Sequence, residues 1–157
     1  MGTSRLSRRL FLVTPLLLLA LLLMVGGARQ VCFDLAYTRV DTELSFWGRK
    51  NYTPTENTIA HTGVTLAWLL HHRPEHPDFL ARRAYFFSWQ GFFTAEPSAR
   101  LELNQQAVDA QHLALRGRPA YRQGWIKMIE YASRTTGGAA MLAQAQSRLN
   151  ALQPPTL

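Results

Sequence analysis

Residues 77–94 read PDFLARRAYFFSWQGFFT, and this stretch decides how the chain is expected to fold. Between Tyr85 and Phe93, six of the nine residues are aromatic, and they occupy all sides of a helix rather than one face. A helix that is apolar on every side is normally buried on every side. The stretch therefore predicts a helix from Pro77 to Thr94 at the centre of the folded domain.

Prolines and glycines divide the chain around this helix into segments of similar length. The breaks are 19 to 23 residues apart and fall at Pro54, Pro77, Pro97, Pro119 and Gly138. Near-equal helices joined by short turns lie antiparallel to their neighbours. The pattern predicts an all-α fold after the N-terminal segment, either an antiparallel α-hairpin stack or a helical bundle. Small residues in the fourth segment give it a tetratricopeptide-like character.

Local signals place the ends and the buried faces of these helices. Thr53-Pro54-Thr55-Glu56 has the pattern of a capping box with proline at the first helical position. Gly117 is expected to end the fourth helix and Pro119 to begin the fifth. Apolar residues at steps of three and four predict one buried face per helix. These faces contain Phe33, Tyr37, Val40, Leu44 and Trp47; Ile59, Gly63, Leu66 and Leu70; Leu103, Ala107, Ala110 and Ala114, beside Leu101, Val108 and Leu115; Tyr121, Trp125, Met128 and Ala132; and Leu142, Ala145, Leu149 and Leu152.

An uncharged apolar run, LFLVTPLLLLALLLMVGG, occupies residues 10–27. A helix of this length rises about 27 Å, close to the roughly 30 Å hydrocarbon core of a bilayer. Arg5, Arg8 and Arg9 precede the run, and no acidic residue occurs before Asp34, so the N-terminus is expected to stay in the cytoplasm. The expected arrangement in the bacterial inner membrane is a basic cytoplasmic tail over 1–9, a transmembrane signal anchor over 10–27, a periplasmic all-helical domain over 29–153 and a tail over 154–157.

Two other interpretations of the N-terminus stay open. A secretory signal peptide also has an apolar core, and the small residues at 26–28 would allow cleavage after Ala28. The sequence SRRLFL at 7–12 resembles the twin-arginine export signature, which implies a domain that folds before export. The length of the apolar run favours an anchor that is retained.

Composition narrows the classes of function. Hydrophobic residues make up 47% of the chain and charged residues 17%, which is sufficient for a core and excludes intrinsic disorder. The single cysteine, Cys32, excludes a disulfide framework within one chain. From Arg29 onward there are 14 basic and 10 acidic residues without a basic stripe, so nucleic acid is not an expected partner.

The sequence carries no catalytic signature. It has no H-E-x-x-H, G-x-S-x-G, phosphate-binding glycine loop or C-x-x-C, so the protein is expected not to be an enzyme and to hold no cofactor. His71, His72 and His76 are weak candidates for a metal site, because Pro74 interrupts the helical spacing that ligands need. The aromatic residues at 85–93 offer a platform on which sugars could stack, but core packing is the favoured account of them.

The fourth and fifth segments resemble a known family. The stretch from Ala107 to Leu115, followed by RPAY at 118–121 and by Trp125, resembles the small VpsP-type proteins of bacterial exopolysaccharide biosynthesis. Those proteins join one N-terminal membrane helix to a short helical domain with tetratricopeptide character, and they have no known catalytic residues. The resemblance implies an accessory component of polysaccharide polymerisation and export machinery.

Together these features predict a non-catalytic, membrane-anchored scaffold that binds other membrane or periplasmic proteins of a polysaccharide assembly. A groove between helix pairs is the expected docking site, with Trp89, Tyr121 and Trp125 as candidate residues. Glycan is a further candidate ligand. The alternatives are a soluble periplasmic glycan-binding module released by cleavage and a metal-dependent factor exported by the twin-arginine route.

Overall fold

The computed structural model describes residues 3–153, with side chains from Pro15 onward, and this part contains six α-helices and no strand. The helices are α1 (Thr3–Phe46), α2 (Glu56–His72), α3 (Pro77–Phe93), α4 (Pro97–Gly117), α5 (Arg122–Ala132) and α6 (Ala139–Ala151). The all-α fold class is confirmed. The tail expected over 154–157 lies outside the described residues.

The first helix is longer than the sequence predicts. α1 runs through Pro15 and the glycines at 26–27 to Phe46, whereas the pattern predicts an apolar helix that ends at Gly27 and a separate one around Phe33. Each glycine costs a helix about 1 kcal/mol, and the leucine-rich flanks are good helix formers. The span Pro15–Phe46 is long and apolar enough to cross a membrane, with a mean hydropathy of 2.1 in its most apolar window. A signal sequence would meet the same criterion.

The chain forms two compact units that meet between Ala36 and Tyr37. The first unit holds the apolar part of α1, where the large side chains from Leu16 to Val25 are 54% to 70% exposed. In the second unit, α3 packs against α2 and α4, α4 packs against α5, and α5 packs against α6. Packing between successive helices is common to bundles and hairpin stacks, so the tetratricopeptide-like arrangement stays a prediction.

Most of the expected apolar faces are buried in the second unit. A core cluster joins α3 to α6 and contains Ala84, Ala107, Val108, Ala110, Leu115, Trp125, Met128, Tyr131, Ala132 and Ala145. Burial raises the pKa of Tyr131 well above its usual value, so its hydroxyl stays neutral. Val40, Leu44 and Trp47 at the end of α1 are also buried.

The last turn of α3 departs from the expectation that this helix is buried on every side. Phe92 is 68% exposed and Phe93 is 39% exposed. The ring of Phe93 meets Trp47 at the end of α1, with centroids 5.9 Å apart, whereas Phe92 meets the ring of Trp89 on its own helix. The aromatic cluster therefore divides into a buried part and an exposed tip.

Two helices begin later than predicted. Thr55, not Thr53, caps α2, because its Oγ1 accepts a hydrogen bond from the backbone N–H of Thr58 at 3.2 Å. α5 begins at Arg122 rather than Pro119, since the chain first makes a turn in which the N–H of Tyr121 donates to the carbonyl of Arg118 at 3.0 Å.

Candidate functional site

A groove lies between α2 and α4, with α3 as its floor. It consists of two adjoining depressions of about 450 and 430 Å³ that share Pro74, Leu80 and Leu113. Its apolar lining includes Leu66 and Leu70 of α2, Leu80, Phe86 and Phe87 of α3, and Leu113 of α4. Concave, mainly apolar surfaces of this size are typical of ligand and peptide sites.

The spacing of residues on α2 gives the groove its length. Gly63, Leu66 and Leu70 recur at steps of three and four along one side of α2 and line the groove, and His71 extends the lining by one residue. From Gly63 to His71 the helix rises about 12 Å, slightly more than two turns. A Cβ at Gly63 would lie 3.1 Å from Cζ of Phe86, so the glycine lets α3 approach α2 closely. The helices α2 and α3 are therefore close together at the floor of the groove, and the groove widens towards α4.

The walls of the groove differ in exposure. Leu66 on the α2 wall is 2% exposed and Leu80 on the floor is 5% exposed, whereas Leu113 on the α4 wall is 46% exposed. Leu113 belongs to neither apolar row that the sequence predicts on α4 and stays outside the core cluster. The wall on α4 thus presents a large aliphatic side chain to solvent beside a preformed depression.

Two arginines border the groove without an acidic partner. Arg83 of α3 places its guanidinium over the ring of Phe87, 5.2 Å from the centroid, and Arg116 lies in the last turn of α4. Neither forms a salt bridge with any residue in the described part of the chain. By contrast, Arg82 pairs with Asp41, and Nη2 of Arg118 lies 2.7 Å from Oδ2 of Asp78.

The three residues predicted to bind a partner occupy different surroundings, and none of them lines the groove. Trp125 is 4% exposed within the core cluster, and its Nε1 donates to the carbonyl of Pro119 at 2.8 Å. Trp89 is half-buried and stacks on Phe93, with centroids 5.6 Å apart. Tyr121 is 50% exposed at the N-terminal end of α5.

Trp89 also fixes the turn that follows α1. Gly48 has φ +82°, and a Cβ at this position would collide with the indole ring of Trp89. The indole ring of Trp89 thus packs closely against Gly48, and another residue at position 48 would be strained. This contact indicates that Trp89 stabilises the turn after α1.

The histidines at the α2–α3 turn point to different neighbours. The rings of His71 and His72 lie 5.2 Å apart, and Nδ1 of His72 is 2.9 Å from the carbonyl oxygen of Trp68. His76 instead stacks on Phe79, with centroids 4.1 Å apart, and its buried Nδ1 has no hydrogen-bond partner among the described residues. The same part of the chain holds no group of three His, Cys, Asp or Glu residues placed to bind a metal ion.

A second, smaller depression lies beside the exposed tip of α3. Its volume is about 310 Å³, and its lining includes Phe92, Arg100, Leu101 and Arg134. Both guanidinium groups already have partners within the chain. Arg100 donates a hydrogen bond to the carbonyl of Thr94 at 2.8 Å, and Arg134 donates one to the carboxylate of Glu130 at 3.0 Å. This depression is therefore a weaker site for a charged partner than the groove.

Comparison of the chain with protein-family models, with curated proteins and with solved structures finds no match. Sequence reasoning missed Leu113, Arg83 and Arg116 as groove residues. One signal was present, since Leu113 is a large apolar residue outside both predicted rows of α4.

Proposed function

We propose that this protein is a non-catalytic, membrane-anchored accessory subunit whose helical unit holds a segment of a partner protein in the groove between α2 and α4. The partner belongs to a membrane-bound or periplasmic assembly. The resemblance of residues 107–125 to VpsP-type proteins suggests that this assembly makes or exports a bacterial exopolysaccharide.

The apolar part of α1 supports the anchoring role. A helix with exposed leucines from Leu16 to Val25 suits a lipid environment. The three arginines before it favour a cytoplasmic N-terminus and a periplasmic helical unit in the inner membrane. Confinement to one membrane raises the effective concentration of the groove near other membrane subunits, so a modest affinity is sufficient.

The observation that carries the proposal is the uncovered apolar lining of the groove. Leu113 is 46% exposed beside a depression whose floor consists of buried leucine and phenylalanine side chains. Large aliphatic groups around a concave surface favour the binding of an amphipathic protein segment.

Photocrosslinking in intact cells tests this role. Full-length protein carries photoreactive benzoylphenylalanine in place of Leu113, and a control carries it in place of Gln146, an exposed residue of α6. We expect an adduct at position 113 with one membrane or periplasmic protein of a polysaccharide assembly, identified by mass spectrometry. Equal adducts at both positions, or none at position 113, would contradict the proposal.

The topology is tested separately. Protease added to spheroplasts should digest the helical unit, and the mature protein should have the mass of the chain with its apolar helix retained. A C-terminal portion resistant to protease in intact spheroplasts would place it in the cytoplasm. A mature chain that begins at Arg29 would show a cleaved signal peptide and remove the anchor.

One observation favours a second candidate function, the soluble periplasmic glycan-binding module. Phe92 is 68% exposed at the tip of α3, where its ring could stack against a sugar. Titration with acidic and neutral oligosaccharides tests it, with Phe92→Ala as the variant that should lose binding. Val64→Ala, at a residue that is 70% exposed on α2, is the matched control and should keep it.

A further inference from the structure

We infer that the occupant of the groove is an amphipathic helix of a partner protein with acidic residues along one edge. This inference depends on the proposed function and deepens it, because it specifies the chemistry of the partner segment. Two independent features carry it, namely the shape of the apolar lining and the unpaired charges at its border.

The apolar lining fits a helix. Gly63, Leu66 and Leu70 lie at steps of three and four along α2, which is the spacing of the surface rows between which the side chains of another helix can pack. The groove follows α2 for about 12 Å, which corresponds to slightly more than two helical turns. An occupant with apolar residues at positions i, i+3 or i+4, and i+7 would cover this length. Extended segments are favoured instead by free sheet edges, and the described part of the chain has no strand.

The charges at the border specify acidic residues. Arg83 stands on the α3 side and Arg116 on the α4 side, and neither pairs with an acidic residue in the described part of the chain. Other arginines nearby are paired, as Arg82 is with Asp41 and Arg118 with Asp78. Among the described residues, Glu75 is the one acidic residue that lines either depression. The border of the groove is thus electropositive, whereas its lining is mainly apolar.

The position of Arg83 prepares it for a carboxylate. Its guanidinium lies over the ring of Phe87, which restricts its orientation while leaving its N–H groups at the border of the groove. A carboxylate on the edge of a bound helix would accept hydrogen bonds from this group and from Arg116. Ion pairs beside an apolar contact add register and specificity more than affinity.

Model peptides test the chemistry of the occupant. Full-length protein in neutral maltoside micelles is titrated by calorimetry with three helical 14-residue peptides that share one leucine face. Their edges carry glutamate, glutamine or lysine. We expect the glutamate peptide to bind about tenfold more tightly than the lysine peptide. Glutamate side chains would be attracted to Arg83 and Arg116, whereas lysine side chains would be repelled by both. The preference should shrink as NaCl rises from about 0.05 to about 0.5 M, because screening shortens the range of the charges.

Charge reversal identifies the residues responsible. The double variant Arg83→Glu/Arg116→Glu should prefer the lysine peptide, and its far-UV circular dichroism should match that of the parent protein because both side chains are at the surface. The matched control, Arg122→Glu/Arg148→Glu, makes the same change in net charge at exposed residues of α5 and α6 and should keep the preference for glutamate. A control that loses the preference equally would indicate general electrostatic attraction and overturn the inference.

Three outcomes separate this inference from the proposed function. Equal binding of all three peptides, or no binding, overturns the acidic helix even if crosslinking at position 113 succeeds. Preference for glutamate with reversal at Arg83 and Arg116 supports it, whatever the crosslinked partner is. A dimer that forms with rising protein concentration and disappears in Leu113→Glu would assign the groove to a second copy of the chain and overturn the inference.

Discussion

The seam between α4 and α5 and the groove between α2 and α4 show two ways in which helices border one another in this chain. The seam is closed, since Gly124 lets α5 approach Leu115. Gln111 is only 3% exposed there, and its Nε2 donates a hydrogen bond to the carbonyl of Gly124 at 3.0 Å. The groove, by contrast, stays open beside Leu113, which is 46% exposed. Because α4 contributes to both, the difference arises from its two neighbours. A glycine and a buried hydrogen bond accompany the close approach of α5, whereas the side facing α2 leaves Leu113 exposed.

The largest expected effect is at the closed seam. Trp125→Ala removes a buried indole and its hydrogen bond to Pro119, and should lower the free energy of unfolding by about 3–5 kcal/mol. Thermal unfolding of the full-length protein in detergent, followed by circular dichroism, measures this loss. Trp125→Phe should retain part of the stability because it keeps a ring in the core. A loss below about 1 kcal/mol in Trp125→Ala would mean that the seam is not the main core.

The buried amide of the seam should give the next largest effect. Gln111→Ala removes a hydrogen bond between α4 and α5 and leaves a small cavity, which should cost about 1–3 kcal/mol. The matched control is Gln105→Ala, because Gln105 is exposed on the same helix and bonds to Asp109 four residues later. Its cost should stay within about 0.5 kcal/mol. Equal unfolding curves for the two variants would contradict a structural role for Gln111.

Local sequence signals predicted the helices well because their causes are local. Proline at the first helical position places the beginnings of α3 and α4 at Pro77 and Pro97, as the sequence predicts. The same rule is wrong for α2, which begins at Glu56 rather than Pro54, and for α5, where Pro119 lies in a turn and its carbonyl accepts the hydrogen bond from Trp125. A contact between residues six positions apart in the sequence thus overrides the local preference.

The candidate site was less predictable because it depends on which helices pack together. A helical period identifies Leu66 and Leu70 as apolar-face residues, but it does not show that α4 leaves Leu113 uncovered opposite them. Trp89 and Trp125 were predicted as docking residues because they are aromatic, but their rings pack within the fold. The exposure of Leu113, and the lack of acidic partners for Arg83 and Arg116 among the described residues, depend on how α2, α3 and α4 pack together.

Two helical glycines allow a sharper comparison of the closed and open sides. A Cβ at Gly124 would lie 2.8 Å from Leu115 Cδ2 and 2.9 Å from Tyr121 Cδ1, whereas one at Gly63 would lie 3.1 Å from Phe86 Cζ. Gly→Ala gains about 1 kcal/mol of helix propensity at either site. We expect Gly124→Ala to be less stable than Gly63→Ala by about 1–2 kcal/mol, because the seam must widen. Equal stabilities in a denaturant titration would show that the seam is as adaptable as the groove.

The smallest expected effect on stability is at Leu113, and it is the effect that most directly separates a docking surface from a core. Because this side chain is 46% exposed, Leu113→Ala should change the free energy of unfolding by less than about 1 kcal/mol. The same change removes apolar area from the α4 wall and should weaken binding of the glutamate-edged helix by about tenfold. Val64→Ala truncates a side chain that is 70% exposed on α2 outside the groove, and should affect neither quantity. A Leu113→Ala protein as unstable as Trp125→Ala would mean that the groove is closed in solution like the seam, since only a residue packed within a core loses that much on truncation.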